Sequence, residues 1–236
     1  MNEITYALNA ENKLVNVNDA PNGEDCNCFC PKCHAEMVAK NNGKVRVHHF
    51  AHASKSECIG AYQTMIHLLA KEIVCETRIL PLAQNGKLLA AAEVWLEEKI
   101  DEIIPDVLGI VPITYNGTNQ VIGYLPIIVE IYVTHKVDNI KAEKIKKLGI
   151  PAVEVNLSKT EALTKDELVK EIYNTKNWRL ITTSVDKKYL PKIQVDLSGV
   201  LAQYKALMAS SNSSSYGRQT NNYRRNYRYN NRGRRR

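Results

Sequence analysis

Cys30-Pro31-Lys32-Cys33 sets two thiols at a spacing where a tight turn offers both to one ion. His48-His49-Phe50-Ala51-His52 and then Cys58 follow, after a turn at Asn42-Gly43. Structural zinc takes four nitrogen or sulfur ligands in a tetrahedron, and three cysteines with one histidine are a common set. Cys30, Cys33 and Cys58 can supply the sulfurs, and His49 or His52 the nitrogen. Cys26 and Cys28 are surplus thiols that could substitute. This segment has little core of its own, so a bound zinc would add on the order of 10 kcal/mol to its folding. Four protein ligands leave no open position, and the expected zinc is structural. Cys75, inside a helical pattern, is expected to be a core residue.

A second group is acidic. Pro105-Asp106 opens one apolar run, and Glu130 lies inside another, from Leu125 to Val133. A charge inside a central strand is costly unless it is paired or metal-bound. Two carboxylates on adjacent strands can share a magnesium ion, which prefers oxygen ligands and completes its shell with substrate phosphate. Such an ion stabilises the transition state of phosphodiester hydrolysis and activates the attacking water.

These groups need a scaffold. Ile4–Leu8 and Lys13–Val17 read as two short strands around a polar turn. Pro21, Asn22 and Gly23 mark a loop over Asp19–Asp25. Apolar residues at helical spacing predict a helix over Ala61–Glu76. An extended region begins at Ile79–Leu82 and breaks at Asn85-Gly86. Strands are predicted over Ala91–Ile100 and Ile103–Val111. A hairpin tip follows over Tyr115–Gly123, and a central strand over Leu125–Thr134. Val137–Leu148 reads as an amphipathic helix stopped by Gly149, with Pro151 beyond. Pro151–Leu157 is a buried-type strand. Leu163–Tyr173 is a helix whose Thr164 and Glu167 have capping-box spacing. Trp178–Met208 reads as strand pieces with a short helix near Leu197–Met208. Helices alternating with strands in this order predict an α/β fold with a mixed sheet.

The net charge of +7 is unevenly spread. Residues 209–236 hold eight arginines and no acid, which leaves 24 basic against 25 acidic residues in the body. That tail is rich in Ser, Asn, Arg, Tyr and Gly and is expected to be disordered. Tyr223 and Tyr227 alternate with Arg224, Arg225 and Arg228. Arginine neutralises phosphate and tyrosine stacks on bases, so the tail is an expected nucleic-acid binder. The expected domains are a zinc-binding module at 1–60, an α/β core at 61–208 and the basic tail at 209–236. No apolar run approaches the ~18 residues of a membrane span. The start lacks the apolar stretch of a signal peptide, so a cytoplasmic location is expected. In that compartment cysteines bind metal more often than they pair.

The run Cys30-Pro-Lys-Cys33, Gly43, Arg46, His49-Phe-Ala-His52, Cys58 and His67-Leu-Leu-Ala-Lys71 resembles the competence protein CoiA-like family. So does Ile104-Pro-Asp106-Val followed by Val129-Glu130. The resemblance spans about Ile4 to Leu157. It implies a zinc-finger-like segment ahead of a restriction-endonuclease-type core of the PD-(D/E)xK class. On that resemblance His52 is the fourth zinc ligand. Asp106 and Glu130 are the carboxylates of a Mg²⁺- or Mn²⁺-dependent DNA nuclease, and His67, Lys71 and Glu72 border the cleft. One position departs. The class carries lysine or glutamine two residues after the glutamate, and this chain has Tyr132. Tyrosine supplies no cation at neutral pH. Lys136 is about 20 Å along the strand from Glu130, too far to substitute. Lys141 and Lys144 on the following helix are closer, and Lys141 is the preferred replacement. His135, at the strand end, is a further candidate for proton transfer. The alternative to a nuclease is a catalytically degenerate DNA-binding protein of recombination or DNA uptake.

Overall fold

The computed structural model describes residues 3–54, 58–83, 86–115 and 118–186. Two five-stranded sheets dominate it. The first uses β1 (Tyr6–Leu8), β2 (Leu14–Asn16), β3 (Gly23–Phe29), β4 (Glu36–Lys40) and β5 (His49–His52), in the order β2-β1-β3-β4-β5. All its pairings are antiparallel. Its core is small: Ala7, Val17, Cys26, Cys28, Met37, Ala39 and Phe50. β3 was not expected, because Gly23, Asp25 and Asn27 are poor strand formers. Pairing with β4 overrides that preference, with a register shift between Gly23 and Cys28.

Next comes α1 (Ala61–Thr77), which buries Tyr62, Met65, Ile66, Leu69, Ile73 and Val74 along one stripe. A hairpin of β6 (Ile79–Leu82) and β7 (Lys87–Ala90) follows. The second large sheet contains β8 (Glu93–Leu96), β9 (Val107–Thr114), β10 (Val121–Tyr132), β11 (Ala152–Asn156) and β12 (Trp178–Thr182), in the order β12-β11-β10-β9-β8. β10 and β11 are parallel, and α2 (Asn139–Leu148) makes the crossover between them. The other pairings are antiparallel, so the sheet is mixed. α3 (Lys165–Ile172) lies between β11 and β12 in the chain. The predicted strand over Ala91–Ile100 shrinks to β8, because Glu97 turns to a φ of 54° and Asp101 to 51°. The helix expected near Leu197–Met208 and the whole basic tail lie outside the described residues.

The second sheet has apolar material on both faces. One face packs on α1 and α3 through Val107, Val111, Ile127, Val129, Ile131, Val153 and Val155. The other packs on α2 through Leu108, Ile128, Ile145, Ile150 and Ala152. Full burial of one such side chain stabilises by about 1.5–3 kcal/mol. β6 approaches β9 so closely that a Cβ on Gly109 would lie 2.2 Å from Leu80 Cδ1. Around the start of β1 the N-terminal sheet meets the helical layer that covers the second sheet. Thr5 Oγ1 donates to Leu163 O at 2.6 Å, and the Tyr6 N–H reaches Met65 sulfur at 3.3 Å. No helix among the described residues is long and apolar enough to cross a membrane.

Candidate metal centre and carboxylate row

The cysteine–histidine cluster is built by a turn, a strand end and a helix approach. Cys30 directly follows β3. Its backbone N–H donates to Ala35 O at 2.9 Å, and its carbonyl accepts from the His34 N–H at 3.0 Å. His34 takes a φ of 58° to close that turn. The Lys32 N–H points at Cys30 Sγ, 3.4 Å away. His52 ends β5, and Cys58 precedes α1, where its carbonyl accepts from the Ala61 N–H. One ligand atom each from Cys30, Cys33, His52 and Cys58 lie within 4.8 Å of one another. Cys33 Sγ is 3.3 Å from His52 Nε2.

The electrostatics of the cluster suit a cation. Burial, then the neighbouring Cys33 and Cys30 thiols, pushes Cys58 up to about 11. Burial also raises Cys30. Burial opposes ionisation of Cys33 too, but the Ala35 N–H and His52 outweigh it and bring Cys33 down to about 7. Three crowded thiols ionise together only around a positive ion, and this set can hold a metal such as zinc.

The open choices resolve by position. His49 Nδ1 lies against Val47 O at 2.9 Å, outside the cluster. Cys26 and Cys28 point into the core, with their thiols on Met37 O and Cys26 O at 3.2 and 3.1 Å. Cys75 is half-buried in α1 rather than fully in the core.

At one end of the second sheet, the cross-strand register assembles a row. Val107 pairs with Val129, so Asp106 and Glu130 are the next positions outward on β9's approach and β10. Glu130 in turn pairs with Glu154 on β11, and Glu154 with Arg179 on β12. Asp106, Glu130, Glu154 and Arg179 thus line up across four chain segments.

Asp106 sits where β9 pairing ends. Its Oδ2 takes the ladder hydrogen bond that the strand gives up, accepting the Ile131 N–H at 2.8 Å. The same oxygen is 3.2 Å from His67 Nε2 on α1. Burial works against the Asp106 charge. His67, the Ile131 N–H and Lys71 outweigh burial and hold its pKa below the usual carboxylate range. Glu130 is the reverse case. Burial, then the Asp106 charge, pushes it up to about 7 against the pull of Lys141. Glu130 Oε2 accepts from Lys141 Nζ at 2.7 Å, whereas the buried Oε1 has no hydrogen-bond partner among the described residues.

Lys141 is fixed by its helix. Asp138 caps α2 and accepts the Lys141 backbone N–H at 2.7 Å. Lys141 Nζ donates to Ile104 O as well, at 3.2 Å. Lys144 instead pairs with Glu102 at 3.1 Å. His135, expected at the strand end, is exposed in the bend between β10, which stops at Tyr132, and α2. His67 and Lys71 do face the carboxylates, but Lys71 is buried and paired with Glu97. Glu72 turns away, toward Glu76 and Lys165.

Glu154 was not singled out in the sequence. It is 1% exposed and satisfied on both oxygens. Oε1 accepts from the Val137 N–H at 2.7 Å and Arg179 Nη2 at 2.8 Å, and Oε2 from Arg179 Nε at 2.7 Å. Its signal was available, since it is a glutamate inside the apolar strand Pro151–Leu157, as Glu130 is inside its own.

Residues 16–60 match the family model described as the N-terminal domain of competence protein CoiA. The match includes all four residues of the cysteine–histidine cluster and stops before α1. Searches of the curated proteins and of the solved structures find no match.

Proposed function

We propose, from the likeness of residues 16–60 to the N-terminal domain of competence protein CoiA, that this chain is a metal-dependent DNA nuclease of the PD-(D/E)xK class serving competence. One observation carries the reading: a buried carboxylate oxygen, Glu130 Oε1, has no hydrogen-bond partner among the described residues, beside a second carboxylate, Asp106, at a sheet end. A buried acceptor without a partner costs about 1–3 kcal/mol, a cost that a bound ion removes. A mixed sheet with α2 crossing from β10 to the parallel β11 frames the pair, and α1, once the β6–β7 hairpin is set aside, reaches it from the other face, which supports the reading.

Asp106 and Glu130 would hold a Mg²⁺ or Mn²⁺ ion, which in such sites stabilises charge on the transferring phosphate and activates water. The chain's own groups do the positioning. His67 and the Ile131 N–H fix the rotamer of Asp106. Lys141 brings an ammonium to Glu130 from α2, in place of the cation that Tyr132 does not supply. Glu154 grips the Val137 N–H and so fastens the chain leading into α2. The zinc module stabilises the N-terminal sheet, and the tail residues Tyr223, Arg224, Arg225, Tyr227 and Arg228 raise local affinity for DNA.

The test compares wild type with Asp106→Asn, Glu130→Gln and Lys141→Ala on labelled single- and double-stranded DNA and RNA with Mg²⁺ or Mn²⁺. Wild type is expected to cleave DNA, both carboxylate variants to lose cleavage while keeping binding, and Lys141→Ala to be strongly slowed. Cleavage that survives both carboxylate changes would move the active site elsewhere. DNA binding without cleavage under any condition would establish the second reading, a degenerate DNA-binding protein, for which Tyr132 is the specific observation.

A further inference from the structure

The connection from β4 to β5, residues 41–48, is anchored at both ends. Asn41 Nδ2 donates to Val17 O at 2.6 Å and to Ala20 O at 2.8 Å. The His48 ring bridges Asn18 Oδ1 at 2.6 Å and Gly43 O at 2.8 Å. These contacts fasten the loop to the preceding β2–β3 connection. It is a built projection rather than slack chain. The hairpin is also tied at its far end, because β5 runs from His49 beside the loop to His52 in the cysteine–histidine cluster.

What the loop presents is basic and apolar together. Lys40, Lys44, Arg46 and His49 line an open concavity of about 600 Å³, and no acidic residue lines it. Lys40, Lys44 and Arg46 are exposed. None of the three forms an ion pair among the described residues, whereas Lys141, Lys144, Lys165 and Arg179 all do. Val45 is 97% exposed and Val47 53% exposed, on either side of Arg46. A fixed loop that leaves three cations uncompensated suits a polyanion. Apolar side chains flanking an arginine suit a groove, where phosphates line the edges and sugars and bases form the wall.

We propose that this loop is a nucleic-acid-binding element that grips the phosphate backbone through Lys40, Lys44 and Arg46 and lays Val45 and Val47 against the groove. It rests on the nucleic-acid part of the reading above but not on cleavage. It is a second contact, separate from the carboxylate row, and its geometry depends on the metal cluster that ties off β5.

The experiment uses the full chain with zinc present and Mg²⁺ and Mn²⁺ omitted, so that binding is read without cleavage. Fluorescence anisotropy with a labelled DNA duplex is recorded from low to moderate salt for wild type, K40A/K44A/R46A and V45S/V47S. Zinc content and circular dichroism are matched beforehand. Each phosphate contact contributes about 0.9 to the slope of log K against log[salt] on duplex DNA. The triple variant is expected to lower that slope by about 2–3 units and to weaken binding about tenfold or more at low salt. V45S/V47S is expected to weaken binding with the slope unchanged. An unchanged slope and affinity in the triple variant, or a wild type that binds no nucleic acid, would overturn the proposal. So would a triple variant that loses binding to phosphatidylglycerol vesicles but not to duplex. Loss of grip in the triple variant of a protein that never cleaves would uphold the loop and sink the nuclease.

Discussion

The two five-stranded sheets each gather polar side chains at one end, yet they do so by opposite means. In the N-terminal sheet the four residues come from a turn, a strand end and the segment before α1, and little packs behind them. Its core is a few small or medium side chains, with Phe50 and Met37 the largest. In the second sheet the carboxylates sit on neighbouring strands whose register is locked by apolar packing on both faces. Packing is thin where the ion would do the holding, and dense where an ion would be put to work. Buried acids that repel each other, such as Asp106 and Glu130, need such a frame to remain together without an ion. Crowded thiols on short strands have no such frame.

The largest expected effect breaks that contrast at its weak side. Cys30→Ser/Cys33→Ser removes two ligands, and with them on the order of 10 kcal/mol of metal-coupled folding energy. The expected outcome is less than about 0.2 zinc per chain by elemental analysis, against about one for wild type. Hydrogen exchange should become fast in β3, β4 and β5 but stay slow at Ile127, Val129 and Ile131. A zinc-free variant with a protected β4 would show that packing alone holds the first sheet.

The converse change tests the dense side. Leu168 of α3 is fully buried and joins the core that backs the carboxylate strands. Leu168→Ala is expected to cost about 2–5 kcal/mol. For a chain of this size that lowers Tm by roughly 5–15 °C. Zinc content is expected to stay at one per chain. Loss of zinc together with stability would show that the sheets fold as one unit through Thr5 and Tyr6, and the comparison between them would blur.

How much of this could be read from the sequence depended on whether a signal was local. Gly149 closes α2 and Thr164 with Glu167 forms the capping box at α3, as predicted, whereas α2 begins at Asn139 behind the cap Asp138 rather than at Val137. Caps act within one turn and need no tertiary partner. The cysteines of the metal cluster were legible for a similar reason, from turn spacing, whereas spacing left His49 and His52 both open and the family resemblance chose His52. What depended on register was hidden. Glu154 stands out in the sequence as a glutamate inside an apolar strand, but its place beside Glu130 shows only once β10 and β11 pair in parallel. β3 was hidden because its own residues favour a loop, and only its neighbours make it a strand. Lys141 lay between these cases. The helix was legible and the distance to Glu130 was not.

The smallest expected effect concerns Glu72, which the sequence grouped with His67 and Lys71. Its neighbours are Glu76 and Lys165, so it reports on the packing of α1 against α3 and not on the carboxylate row. Burial, then the charge of Glu76, pushes its pKa up to about 7, against the pull of Lys165. A carboxylate raised in the folded state binds protons more tightly there than in the unfolded chain, so its ionisation destabilises the fold. That penalty is full above about pH 7 and fades as pH falls from about 7 toward the unfolded value of 4.5. Partial solvent access reduces it to about 1 kcal/mol. Glu72→Gln removes the charge and keeps the shape. Its unfolding midpoint in urea at pH 8 is expected to exceed that of wild type by about 1 kcal/mol of stability, and the gap should close by about pH 4.5. A gap that is constant with pH would assign the effect to packing of the amide. A gap of opposite sign would mean that Lys165 outweighs Glu76, and that the helix pair on the dense side is held by its charges as well as by its apolar stripe.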